Sequence, residues 1–585
     1  MNRTDKPTCW DLSSIYPNGM DKAGFIQILD RLKVSLDPLE KNSHHDPVHE
    51  PELRALSEIM KQIEKAEYFS YCLSCEDMEP DVLHSLQASI TALKSQARII
   101  LSNWWARVRT MTKAQLDALT EQAHPNLISD LLSGYSNADI SKINSEKEAL
   151  KNLEEAYMQL RNKLMVAANG LEEGNELSFS KAVHLSMAHP DSSTREKAFS
   201  ALNSALSSQA DDFSSVFNQM IGRRLRLYKL LNEEDYLGES LRMNGLSRAT
   251  LETMQDVIRS NRTYLTKFLN RRAQEANKEK LSWHELMTSS QDVNYQVPYS
   301  KAVVEITAAL GAIDPNMSEF THDALQRGWV DSEPRDSKAP GGFCVPFIGQ
   351  GESRVSVNYD DTMDSARILA HELGHAWHFK QMKSVPSLRF LDETLEMTTA
   401  ETASIFFEAA YIDFVIRNTD DLALKKSLLG WSIERSLNYL MAIMASFEFE
   451  KRFYDQRREG PLSADQIEQI SLQAQEEVYG ESLTEYQPYV WMKYAQFYQA
   501  DVPFYNYPYT FGYLLSIGLL ERARTTNVQF SAAFQSFLSQ TGTLPVEQLV
   551  KKHFHIDLAQ PEFWQQSMTK IQQDIEEYLR LSKAE

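Results

Sequence analysis

Apolar residues recur every three or four positions through most of this 585-residue chain, a spacing that forms a continuous buried face only on a helix. Leu53, Leu56, Ile59, Met60 and Ile63 make one such stripe among charged neighbours, and Ile143, Leu150, Leu153, Tyr157 and Leu164 make another. Breaks rich in Pro, Gly, Asn and Asp near 124–126, 169–175, 189–191 and 313–316 keep the helices to ordinary length. No fixed-period repeat or low-complexity tract interrupts the pattern. A mainly α fold is expected, in a chain long enough for more than one domain.

The texture changes between 330 and 360. Turn formers mix with apolar residues from Asp336 to Phe347, and Val355 and Val357 then alternate with polar neighbours between Ser353 and Tyr359, which is strand period. A helix is expected from near Thr362, capped by Asp360 or Asp361. A small β patch therefore leads directly into that helix.

The formal net charge of −21 argues against a nucleic-acid partner, whose phosphates call for a basic face. No stretch approaches the roughly 18 uninterrupted apolar residues of a membrane span. Met1 to Pro17 has neither an apolar run nor a small-residue cleavage site, so no signal peptide is expected and the expected location is the cytoplasm. The four cysteines, Cys9, Cys72, Cys75 and Cys344, are too few for a disulfide framework. Cys72 and Cys75 form a CxxC without a second pair or a βαβ setting, and read as buried thiols on a helix.

The chemistry concentrates at His371-Glu-Leu-Gly-His375, an HExxH motif. Residues four apart on a helix share a face, about 6 Å apart along its axis, so two imidazoles can converge on one ion with Glu372 beside it. The apolar flanks, Ile368-Leu-Ala370 and Ala376-Trp377, mark the helix as buried. Gly374 is costly within a helix and points to close approach of another backbone. His378 lies too far along the axis to share the ion and suits a packing or supporting role.

A third protein ligand is needed. The metzincin pattern requires Gly and His where this chain has His378 and Gln381, so that class is excluded. The candidates are Glu393, Glu396, Glu401 and Glu408, in a helical stretch reached after a loop at Pro386 and Ser387. Small neighbours (Ala400, Thr402, Ala403 and Ser404) favour Glu401 by letting its helix pack closely, without deciding among the four. For Glu393, Glu396 and Glu408 a solvated or structural role is the expectation.

Three motifs in order give a specific resemblance: His371-Glu-Leu-Gly-His-Ala-Trp-His378, Ala400-Glu-Thr-Ala-Ser404, and Pro503-Phe-Tyr-Asn-Tyr-Pro-Tyr-Thr-Phe-Gly-Tyr513. Pro340-Gly-Gly-Phe-Cys344 and Trp10-Asp-Leu near the start also fit. The sequence resembles the thimet-type oligopeptidases and, within them, the oligoendopeptidase F branch. That resemblance implies a helical ellipsoid with a deep substrate channel and a small β-sheet next to the HExxH helix, divided into an N-terminal helical region, 1–190, and a catalytic metallopeptidase domain, 191–585. The strand at 353–359 would be the sheet's edge, offering backbone groups to an extended peptide.

By the same resemblance one Zn2+ per chain is held by His371, His375 and Glu401. Glu372 is the general base, and the chain is a metalloendopeptidase of short peptides. A Gly-Tyr pair in relatives supplies a hydroxyl to the reacting carbonyl; Gly512-Tyr513 matches it, with Tyr505 the second choice. Gln496 departs from many relatives, which carry histidine there, but can still donate a hydrogen bond. Two rival readings remain. One is a catalytically silent helical peptide-binding protein, against which the intact Glu372 argues. The other is an exopeptidase of similar build, for which the sequence shows no anchor for a peptide terminus.

Overall fold

The computed structural model describes residues 9–17, 22–44, 50–76, 79–108, 111–112, 114–115, 140–168, 170–171, 174–286, 295–335, 338, 341–382, 395–526 and 528–583. It is predominantly helical with small sheets, as the periodicity requires. The chain forms two compact units, each assembled from separated segments: Met1–Ser136, Tyr295–Val415 and Arg522–Ile556 in one, and Asn137–Asn294, Ile416–Glu521 and Asp557–Glu585 in the other. Both units are thus discontinuous in sequence. No helix among the described residues is long and apolar enough to cross a membrane.

In the first unit, α1 (Lys22–Asn42), α2 (Glu50–Leu73) and α3 (Pro80–Val108) pack on one another through their apolar stripes. Leu53, Leu56, Met60 and Ile63 are buried there, with Ile59 packed part-buried against them. Cys72 and Cys75 are buried cysteines of the same core, not joined in a disulfide.

This core extends into a sheet, because Val345 and Phe347 belong to it. The sheet has three strands, β1 (Val330–Asp331), β2 (Gly342–Phe347) and β3 (Glu352–Val357), in the order β1-β3-β2. β3 runs parallel to β1 and antiparallel to β2. The strand expected at the edge is therefore the central one, and the edges among the described residues are β1 and β2. The cause is that the Val355 N–H is taken by the Trp329 carbonyl at 2.8 Å, so both sides of β3 are paired.

Nor does β3 have a wet face: Arg354 and Ser356 are buried along with Val355 and Val357. The N-terminal helices cover one side of the sheet, and α4 (Met363–Gln381) packs on the other. The fully buried Arg354 is satisfied by four acceptors, namely Asp11 O at 2.8 Å, Ser14 Oγ at 2.6 Å, Ser353 O at 2.7 Å and Glu352 Oε2 at 3.1 Å. One guanidinium thereby fastens the segment around Trp10 to the central strand.

α4 is capped by Thr362 itself, not by the aspartates before it. Its hydroxyl accepts from Ser365 N at 3.1 Å while Ser365 Oγ accepts from Thr362 N at 3.2 Å. Asp360 supports this cap by accepting the Thr362 hydroxyl at 2.6 Å. Asp361 has φ of +61° and instead offers its carbonyl to Val297 N at 2.8 Å.

In the second unit, the helix Ile140–Lys163 buries Ile143, Leu150 and Tyr157 against Ala210–Leu230. Tyr157 stacks on Tyr498 with ring centroids 3.8 Å apart. Leu422–Leu437 continues into Ile443–Arg457 through a π-helical turn, Asn438–Ala442. The Tyr439 carbonyl in that turn accepts the Thr510 hydroxyl at 2.6 Å.

Arg354→Ala removes a guanidinium donor from four acceptors and is expected to cost about 3 kcal/mol, read as a lower apparent Tm. Arg354→Lys should recover only part of the loss, because one ammonium cannot reproduce a planar fork of donors.

Candidate metal centre

α4 carries His371 and His375 one turn apart, and the third element arrives by way of Gly374. A methyl placed on Gly374 would lie 2.5 Å from Ala403 O and 2.6 Å from Ser404 Cα. Only the absence of a side chain there lets the later segment touch α4 backbone to backbone. That segment is α5 (Met397–Ala400), then Glu401, then α6 (Thr402–Asn418). Glu401 ends the short helix with φ −93° and ψ 1°. The Ser404 hydroxyl, on the first turn of α6, donates to Glu401 Oε2 at 2.8 Å and steers the carboxylate.

Glu401 Oε2 lies 3.2 Å from His371 Nε2 and 3.4 Å from His375 Nε2. Among the described residues, His371, His375 and Glu401 are the group whose donor atoms come close enough to hold a metal ion, all within 4.8 Å of one another. Of the other carboxylates considered, Glu396 sits before α5, where its carbonyl accepts from Thr399 and Ala400 N–H at 2.9 Å. Glu393 lies outside the described residues, as do Pro340, Pro386 and Ser387.

Glu408 is buried and paired, not solvated. It is 3% exposed and its Oε2 is 2.9 Å from His371 Nδ1 and 3.0 Å from an Arg367 guanidinium nitrogen. A carboxylate on one ring nitrogen fixes the tautomer and leaves the other nitrogen free for a cation. The sequence held the signal: Glu401 and Glu408 are seven apart, as are two helical turns, and Arg367 precedes His371 by four. His378 supports α4 from elsewhere, with Nε2 2.7 Å from Thr541 Oγ1.

The donor chemistry fits a divalent cation: two imidazoles and one carboxylate leave room for a water or substrate. The electrostatics agree. Burial alone would depress His371, but Glu401 and Glu408 outweigh it and raise the imidazole to about 10. Against the same burial penalty, the two imidazoles hold Glu401 below the usual carboxylate range. Carboxylates beside both nitrogens of the His371 ring favour positive charge at this point. Glu372, 6% exposed, has no ligand's place in the cluster, and burial pushes its carboxyl above the ordinary value.

The profile of peptidase family M3, a family of metallopeptidases, matches residues 185–570, a span holding the HExxH helix, Glu401 and the tyrosine-rich segment. The chain belongs to peptidase family M3. The group B oligopeptidase PepB of Streptococcus agalactiae is 19% identical over 376 residues, covering 64% of this chain and 61% of that protein. This M3 chain thus spans about three-fifths of the length of that curated relative. A solved structure described as a peptidase from Chlamydophila abortus matches with TM-score 0.84 at 18% identity, over 99% of both chains. Oligoendopeptidase-F from Enterococcus faecium matches with TM-score 0.66 at 16% identity, over 97% of this chain and 99% of its own. At such identities the two structures establish the fold.

The remaining nominated residues of the M3 chain lie in its second unit. Tyr513 is buried in the helix α7 (Tyr507–Thr526), its hydroxyl 2.7 Å from Ser436 Oγ and its ring stacked 4.5 Å from Tyr439. Tyr505 is half-buried, with its hydroxyl 2.6 Å from that of Tyr509. Gln496 is half-buried in the short 3-10 turn Ala495–Tyr498.

Glu408→Ala is expected to weaken metal binding by about 10- to 100-fold by freeing the His371 ring. Competition against a chelating dye measures this, with an unchanged circular dichroism spectrum as the control for folding.

Proposed function

We propose that this chain is a zinc metalloendopeptidase that hydrolyses internal bonds of short peptides. The observation that carries the reading is a buried carboxylate, Glu372, adjacent in sequence to one member of a two-imidazole, one-carboxylate cluster. His371, His375 and Glu401 would hold one Zn2+, which when bound acidifies water and polarises a carbonyl. Glu372 accepts the proton of the attacking water and returns it to the departing amine nitrogen. Burial makes it a better base than an exposed glutamate. The substrate class follows the relatives, an oligopeptidase in Streptococcus and an oligoendopeptidase in Enterococcus. An extended peptide adding as a strand would use β2, because β3 has both sides occupied.

For the hydroxyl that the family resemblance aims at the reacting carbonyl, burial favours Tyr505 over Tyr513. The Tyr513 hydroxyl would have to leave Ser436 and a closed environment before it could donate.

The decisive assay uses an internally quenched peptide blocked at both termini. Cleavage is expected, should vanish on chelation and should return on adding Zn2+. An enzyme that cuts only peptides with a free end would be an exopeptidase, and one that binds peptides without cutting would be a silent binder. Glu372→Gln should keep its metal and lose about 10^2- to 10^4-fold in kcat. Full activity in that variant would remove Glu372 from the base role.

Tyr505→Phe is expected to lower kcat by about tenfold or more with KM little changed, and Tyr513→Phe to leave kcat within about threefold. The reverse ranking in steady-state kinetics would restore Tyr513 to the carbonyl.

A further inference from the structure

Among the described residues no strand pairs with the outer side of β2. Val355 on β3 turns its N–H toward β1, where it meets Trp329 O. Backbone groups alternate along a strand, so Arg354 and Ser356 turn theirs toward β2, as does Asn358, whose N–H meets Gly341 O at 3.2 Å. Their partners Val345, Phe343 and Gly341 therefore face inward. Gly342, Cys344 and Pro346 face outward. Pro346 has no N–H to give, which suits an edge strand and ends any ladder built on it. Within β2 an added strand can thus both donate to and accept from only Gly342 and Cys344, while Pro346 offers a carbonyl alone.

The two faces of that edge differ. On the α4 side, a methyl on Gly342 would come within 2.5 Å of Ile368 Cγ2 and 3.2 Å of Glu372 Cγ. The outward Gly342 peptide group consequently lies beside the proposed base. On the opposite side stands Phe343, half-buried, with the ring of Tyr71 at 4.7 Å and that of Trp10 at 6.2 Å. Trp10 is buried and anchored through Nε1 to Glu76 at 2.6 Å. Tyr71 is 44% exposed, one of the few large apolar rings left open to solvent among the described residues.

Resting on the endopeptidase reading above, we infer that Phe343 and Tyr71 form a side-chain subsite that selects an aromatic or large aliphatic residue of the substrate. A peptide bonded at Gly342 and Cys344 places one residue opposite Phe343, between the two hydrogen-bonded positions. Paired residues on neighbouring strands project to the same face, and non-hydrogen-bonded pairs bring their side chains closest. That residue's side chain is directed onto the Phe343 and Tyr71 rings, while its two neighbours are directed toward α4. An exposed ring tilted against a half-buried one gains by covering apolar surface, and a charged or small side chain offers nothing comparable.

The test is a set of blocked, internally quenched peptides varied one position at a time. One position is expected to favour Phe, Tyr or Leu over Ala by about tenfold or more in kcat/KM, the range a hydrophobic pocket supplies. Tyr71→Ala should reduce that preference to within about threefold, Tyr71→Phe should keep it, and Phe343→Leu should weaken it. Dissociation constants of fluorescent peptides for Glu372→Gln carrying Zn2+ give a second measure. Aromatic selectivity in binding without hydrolysis by the unmodified chain would uphold the subsite and overturn the endopeptidase reading. An unchanged preference in folded Tyr71→Ala and Phe343→Leu would overturn the subsite and leave hydrolysis standing.

Discussion

Everything at the candidate metal centre depends on two backbones meeting at Gly374. A helix normally holds its neighbour off by the length of its side chains, with axes 8–10 Å apart. Here a methyl would already overlap Ala403 O and Ser404 Cα. Glu401, a short side chain at the break between α5 and α6, reaches both imidazoles of α4 only because of that contact. The small residues on the second segment are the other half of the same requirement. Helix propensity is given up at position 374 to bring three donors to one point.

Three glutamates close to two histidines are set apart by their surroundings. Glu401 is held by Ser404 and by both rings, which keeps it ionised and aimed at the cluster. Glu408 lies on the Nδ1 side of His371 and shares its charge with Arg367, outside the three-donor cluster. Glu372 is buried with its carboxyl raised, the condition that suits a group that must take up a proton and give it back.

The sheet is the second device. It is covered on one face by N-terminal helices and on the other by α4, and so β3 buries polar as well as apolar residues. Arg354 makes that possible by meeting four oxygen acceptors without water. The same sandwich leaves β2 as the edge beside Glu372 and presents Phe343 beside Tyr71. Residues separated by some 270 positions thereby line one strand, because the N-terminal helices belong to the unit that carries the HExxH helix.

The helical class, the stripes of α2 and of Ile140–Lys163, the position of the strand before α4, and the pairing of His371 with His375 follow from local periodicity, which depends on residues a few positions apart. Gly374 is legible too, as a cost that only a close neighbour explains. The choice of Glu401 among four carboxylates, the support from Glu408, the central position of β3 and the exchange of Asp360 or Asp361 for Thr362 at the cap are different in kind. Each depends on which distant segment arrives, or on a backbone angle that sequence leaves open. The left-handed turn at Asp361 and the Trp329 carbonyl on Val355 are two such facts. Periodicity states which face of an element is apolar; only the folded chain decides what that face, and each unpaired N–H, will meet.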